Sequence, residues 1–310
     1  MNYELLERCD EFMQYHAIMK HALGINGTGE ECAVGAYYYL ISGAFPDTAR
    51  IRECRELLRR RSGVFSGFRA HGADILACML AADDDPEYRL ELTILAHQYL
   101  RTEFTDTSYL PILAFFFTEY LREDQFQRYT VKAKQVYGMM RDQHIMLTSY
   151  EDVIFAGLFA MSGRDLQQLT DEAEAIYQYL KPAFSFNGNP LQTLSHALAL
   201  CQGDPVDKAE RTGHMWRLLQ KHRIRFPKSF PIAALGILAN SGIEAEVICQ
   251  DFLRAQEQLK ELVHGLFSSK ETRYYFTVLV LASYYLINST EMTAAVIIRM
   301  IVLLAASDSA

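Results

Sequence analysis

The chain has 310 residues, of which 50% are hydrophobic and 22% charged, with a formal net charge of −8. That composition supplies ample material for a buried core and excludes a disordered chain, while 8 Pro and 17 Gly are too few for a turn-dense all-β fold. The acidic whole-chain field opposes nucleic acid and anionic membranes, and no apolar run reaches the ~20 residues that a bilayer helix needs.

Residues Tyr3–Leu23 read as a leading helix with no basic or apolar leader before it, so no secretory signal is expected. Gly24-Ile25-Asn26-Gly27-Thr28-Gly29 follows a helix rather than a strand, which makes it a connector and not a dinucleotide cradle. Residues 27–43 form a helix rich in small residues that ends in glycine. Its cluster Tyr37-Tyr38-Tyr39 spreads around the helix, so at least one ring is expected to face outward. The next helix carries Arg50, Arg52, Arg55, Arg59, Arg60 and Arg61, and Arg69 follows shortly after. Arg52, Arg55 and Arg59 share a helical face, and guanidinium forks grip phosphates and carboxylates bidentately. Arg52, Arg55, Arg59, Arg60, Arg61 and Arg69 are therefore the candidate anion- or partner-binding residues, with Phe65 and Phe68 close enough to stack. The competing explanation is a solvated face on which Glu53 and Glu56 pair with neighbouring arginines.

Asp83-Asp84-Asp85-Pro86-Glu87 has the DDxxE form with which all-α isoprenoid synthases hold magnesium and diphosphate. Here Pro86 marks a first helical turn and no second acidic motif follows, so these acids are expected to cap a helix. Thr107-Ser108-Tyr109 and Thr148-Ser149-Tyr150 offer hydroxyls and are expected to do the same.

An apolar stripe at helical spacing runs through Leu166, Leu169, Ala173, Ile176, Tyr177 and Leu180. Phe126, Tyr129, Ala133, Val136, Tyr137 and Met140 repeat it 40 positions earlier, and Tyr88, Leu92, Leu95, Ala96 and Tyr99 lie 41 positions before those. Val206, Ala209, Gly213 and Trp216 continue it forward until Arg217 breaks the register. The helices that precede the stripes, 147–163, 187–203 and 226–242, match 27–43 in length and all close on glycine, which suits a left-handed C-cap. Their small residues mark them as inner, closely packed helices, and the charged helices as an outer layer.

No catalytic or metal-ligating constellation is legible, and no cofactor is expected. His16 and His21 are five apart, and His71, His196 and His214 occur singly. Ser195 and His196 are adjacent on a helix and so point apart. Cys9, Cys32, Cys54, Cys78, Cys201 and Cys249 form no CxxC and are expected to be buried reduced thiols. The basic run Lys221–Lys228 complements a helix C-terminus. Phe276–Ile287 and Met292–Ala306 read as two buried helices.

The expected fold is all-α, with helical-hairpin repeats of about 40 residues forming an α-solenoid-like superhelix. It is expected as a single domain over 1–310: a leading helix in 1–26, hairpin repeats in 27–264, and an apolar helical pair in 265–310 that caps the stack or forms a homodimer surface. Three further stretches carry a resemblance: Glu53–Ala70, Leu147-Thr148-Ser149-Tyr150-Glu151-Asp152 and Leu191–Leu198. Together with Thr107-Ser108-Tyr109-Leu110 they resemble a bacterial family of helical proteins catalogued only as a domain of unknown function, of the four-thousand-and-three type. The resemblance covers nearly the whole chain. It implies a bacterial cytoplasmic setting and brings no activity, cofactor or site residue.

The expected function is a non-catalytic helical scaffold that binds an unidentified protein or peptide. One alternative is a helical enzyme or binder of a small anionic ligand, with a site assembled across repeats. Another is a nucleic-acid-contacting regulator working through the Arg-rich segment, against which the net acidity counts. An open groove lined by Tyr and Arg favours the scaffold, and a closed pocket with buried His, Asp or Glu favours the enzyme or ligand binder.

Overall fold

A computed structural model describes residues 3–24, 27–61, 63, 67–69, 72–184, 188–224, 231–262 and 270–286. Among these residues the chain is all-helical, with no strand. In order, the helices are α1 (Tyr3–Leu23), α2 (Gly29–Ser42), α3 (Thr48–Arg61), α4 (Ala73–Ala81), α5 (Pro86–Leu100), α6 (Tyr109–Tyr120) and α7 (Phe126–Gln143). They continue with α8 (Asp152–Met161), α9 (Leu166–Leu180), α10 (Asn189–Leu200), α11 (Pro205–Lys221), α12 (Pro231–Ala239), α13 (Ala245–Leu262) and α14 (Lys270–Tyr285). The second C-terminal apolar run, Phe65, His71 and residues 225–228 of the basic run lie outside the described residues.

The helices form two units, Tyr15–Leu166, and Met1–Gln14 with Gln167–Ala305. In the first, α2, α4, α6 and α8 pack on one another in succession, as do α3, α5 and α7, and each of these odd helices also lies against the even helix after it. In the second, α10, α12 and α14 pack in succession, and α11 packs on α13. There Phe12 meets Phe276 edge-on at 5.5 Å, and Gln258 donates to Asp10 at 2.8 Å.

The even helices are the crowded ones. Every residue of α8 is buried. A Cβ on Gly157 would lie 2.3 Å from Leu113 Cδ1, and one on Gly236 2.4 Å from Leu194 Cδ1, so glycine is what lets α8 approach α6 and α12 approach α10. Gly43 closes α2 at φ 70°, donating its N–H to Tyr39 O, and Gly163, Gly203 and Gly242 also have positive φ. Tyr37, Tyr38 and Tyr39 are all buried, contrary to the expected outward ring, because α2 is enclosed all round and Tyr38 OH reaches Glu119 instead.

The odd helices each bury one stripe, in a register the sequence pattern misassigned by one residue on α5 and α11. The first buried position runs through Ile51, Leu90, Thr130, Thr170, Ala209 and Cys249, at steps of 39, 40, 40, 39 and 40 residues. The second runs through Cys54, Thr93, Ala133, Ala173, Thr212 and Phe252, and the third through Leu57, Ala96, Val136, Ile176, Met215 and Ala255. Tyr88 and Val206, expected inward, are exposed. The cause is that polar residues hold core positions: Thr93 and Thr212 satisfy their hydroxyls on the carbonyls of Arg89 and Lys208, one turn back. Lys208 is itself fully buried, its ammonium paired with Glu172 and donating to Cys201 O at 2.8 Å.

The Thr-Ser-Tyr motifs also depart from expectation. No side chain caps α6 or α8, and α8 starts only at Asp152, with Asp152 Oδ2 accepting the Ser149 N–H at 2.9 Å. The acidic run does cap: Asp85 accepts the Tyr88 N–H at 3.1 Å, and Asp83 pairs with Arg89 at 2.7 Å. All six cysteines are buried and none is in a disulfide; burial pushes the Cys9 and Cys32 thiols up to about 12.

Candidate functional site

The arginine segment divides into an inward and an outward half. Arg52 donates to His21 O at 2.7 Å and to Ala22 O at 3.4 Å, and Arg55 to Leu23 O at 3.1 Å. These are the last carbonyls of α1, which have no partner within their own helix, so the two guanidiniums cap that helix. Arg55 also grips Asp74 through two bonds of 2.7 and 3.0 Å. Arg59 pairs with Glu56 at 2.7 Å and Arg61 with Glu91 at 3.2 Å, both at the surface. Arg69 donates to Arg59 O, and Arg60 is exposed with no ion pair among the described residues. Arg52, Arg55 and Arg59 thus do not converge on one point.

Phe68 turns inward, meeting the His97 ring edge-on at 4.8 Å. His97 Nε2 lies 2.9 Å from Asp106 Oδ1, whose other oxygen faces Arg101 at 3.6 Å. A Cβ on Gly67 would fall 2.6 Å from Thr107 O and 2.9 Å from Asp106 Oδ1, so this stretch of the Glu53–Ala70 segment is tied to close packing. Burial holds the His97 pKa below its ordinary value and outweighs the opposing pull of Asp106, so the ring is neutral and donates from Nε2. A neutral buried histidine binds its proton less readily folded than unfolded. Its contribution to stability is therefore complete above the unfolded pKa, ~6.5, and is lost as pH falls from there through the lower folded value. We expect the melting temperature to drop on acidification below that pH, with a smaller drop in His97→Gln; equal slopes in the two proteins would contradict the assignment.

The second unit carries an opening of its own. A solvent-open groove of about 780 Å³ runs between the C-terminal part of α9, the exposed side of α11 and the α12–α13 connection. Ala183, Ala209, Gly213, Ala239 and Gly242 are among the small residues that line it and give it depth. Tyr179, 44% exposed, donates to Glu210 at 2.8 Å, and His214 Nε2 lies 3.1 Å from Glu246. The His214 contact holds Glu246 below the usual carboxylate range, and the Glu210 contact raises the Tyr179 phenol. Two of the three lining carboxylates are thus engaged, which leaves Glu244. Arg211 and Arg217 are exposed and make no ion pair among the described residues, so the groove offers two guanidiniums beside its three carboxylates.

In the sequence Arg211 did not stand out, and Arg217 did so only as the residue that breaks the apolar register. Each is an isolated cation on a helix of mixed charge, and its neighbours here come from α9 and α13. The residues that did stand out elsewhere are structural: His196 is buried, Ser195 Oγ donates to Gln192 O at 2.8 Å, and His16 lies against Gly29 O at 3.3 Å. Among the described residues no group of three or more His, Cys, Asp or Glu is placed to hold a metal ion, and no helix is long and apolar enough to cross a membrane.

One family model, described as a protein of unknown function (DUF4003), matches residues 15–309. No curated protein and no solved structure is significantly similar to the chain.

Proposed function

Because the chain belongs to the DUF4003 family, whose description assigns no activity, we propose from its own geometry that it is a non-catalytic helical-repeat scaffold that docks a segment of a partner protein. The observation that carries this is the open groove of α9, α11 and α13, with exposed Tyr179 on one side and the unpaired Arg211 and Arg217 on another. A rigid aromatic beside unpaired guanidiniums is the side-chain set that dominates protein recognition. The matching occupant is an extended segment that brings carboxylates to Arg211 and Arg217 and lays apolar side chains beside Tyr179.

What supports the repeat reading is the buried stripe that recurs at steps of 39 or 40 residues on successive odd helices, together with the matching packing of the even helices. On this reading the hairpins form one α-solenoid-like domain in a cytoplasmic protein. The six buried unpaired thiols suit that compartment. A nucleic-acid role through the arginine segment is disfavoured, because Arg52 and Arg55 are engaged at the end of α1.

The test is affinity capture from native extract with the wild type, an Arg211→Glu/Arg217→Glu variant and an Arg59→Glu/Arg60→Glu variant. We expect a stoichiometric partner that the groove variant loses and the other variant keeps. Loss only in the Arg59/Arg60 variant would move the docking surface to α3, and capture of no macromolecule by any of the three would refute the scaffold.

A further inference from the structure

A second cavity, of about 470 Å³, lies within the unit Tyr15–Leu166, between the α5–α6 and α7–α8 connections. It brings the two Thr-Ser-Tyr motifs to one place: Thr107 comes from the first, and Thr148, Ser149 and Tyr150 from the second. Their hydroxyls cap neither α6 nor α8. Thr107 Oγ1 and Ser149 Oγ are shut away from solvent and make no hydrogen bond among the described residues. Hydroxyls buried without partners are unusual in folded proteins, and a ligand oxygen is one group that can satisfy them.

The helix between the two connections supplies charge. Lys134, Tyr137 and Arg141 occupy positions i, i+3 and i+7 of α7, on one face. Lys134 is anchored, donating to Glu103 O at 2.6 Å with its ammonium 5.1 Å above the Phe104 ring. Tyr137 donates to Ser149 O at 3.2 Å, which ties α7 to the second motif. Arg141 is exposed and makes no hydrogen bond or ion pair among the described residues. Phe104, Leu110 and Val153 add apolar surface, and among the lining residues Glu103 is the acid that opposes the two cations. A partly open cleft with apolar walls and a few converging polar groups is a usual form of small-molecule site.

We propose that this cavity binds a small organic oxyanion, a phosphate or a carboxylate on an aromatic or aliphatic body. Arg141 and Lys134 hold the anionic end, the Thr107 and Ser149 hydroxyls turn toward it, and the body lies against Phe104, Leu110 and Val153. The site goes beyond the partner-docking groove: it belongs to the other unit and shares no residue with it.

The experiment is calorimetric titration of the full chain with phenyl phosphate and with benzoate, in the wild type, Arg141→Gln, Ser149→Ala and the Arg211→Glu/Arg217→Glu groove variant. Arg141 is exposed and unpaired, so its replacement leaves the fold intact. At least one probe should bind at millimolar concentration or below. Arg141→Gln should weaken that binding roughly tenfold, the loss expected for one charge-assisted hydrogen bond. Ser149→Ala should weaken it less, and the groove variant should bind as the wild type does. Preference for phenyl phosphate assigns a phosphate, and preference for benzoate a carboxylate. No binding of either probe, or undiminished binding by Arg141→Gln, overturns the proposal while leaving the docking groove untouched.

Discussion

Replacing Glu172 with alanine should destabilise the protein by about 3–5 kcal/mol, the cost of leaving a buried charge without its partner. Lys208 has no solvent-exposed side-chain surface, and Glu172 has only 9% of its own exposed. Apart from Glu172, the hydrogen bond recorded for the ammonium is to the Cys201 carbonyl, which carries no countercharge. On α9 and α13 the position that matches Lys208 is a fully buried Leu169 or Ile248, so removal of the pair as a unit should be far milder than its rupture. A Glu172→Leu/Lys208→Met double variant is expected to recover most of the loss, because apolar groups of similar volume often replace a buried ion pair at little cost. Urea denaturation of both variants checks this. A single variant within about 0.5 kcal/mol of the wild type would show that the charges are not isolated from water.

Arg55→Ala should lower stability by roughly 2–3 kcal/mol, whereas Arg59→Ala and Arg60→Ala should each fall within about 0.5 kcal/mol of the wild type. Arg55 and Asp74 form a two-bond pair with side chains 15% and 16% exposed, and the same guanidinium satisfies the Leu23 carbonyl at the end of α1. Its loss strands a half-buried carboxylate and uncaps a helix. Arg59 pairs with Glu56 in the open, where solvent screens the attraction. Thermal unfolding of the three variants gives the ranking. If all three were equally tolerated, the inward half of the arginine segment would not be structural, and its availability to a partner would have to be reconsidered.

What could be read from the sequence was what local interactions decide. α1 has the bounds its pattern indicated, the helix-terminal glycines take positive φ, and Asp85-Pro86 starts a helix, because each depends on a few adjacent residues. The register of α5 and α11 was missed because it was matched on apolar residues alone. The buried Thr93, His97, Lys208 and Thr212 carry their stripe through hydrogen bonds and an ion pair. The arginine segment was conspicuous in composition, yet the partners that orient Arg52 and Arg55 lie in α1 and at Asp74, about 20 to 30 residues away along the chain. Arg211 and Arg141 were inconspicuous for the converse reason: what distinguishes them is an exposed guanidinium without an ion pair, which only the packed helices reveal. A usable signal did exist in the Thr-Ser-Tyr motifs. Their repetition marked a recurring place in the fold, although not one where the hydroxyls serve as caps.

Hydrogen exchange on the full chain, alone and with its captured partner, tests the docking groove most directly. The account predicts slowed exchange over 205–221 and 243–250, with little change over 48–61. Protection centred on 48–61, or none along α11 and the start of α13, would contradict it.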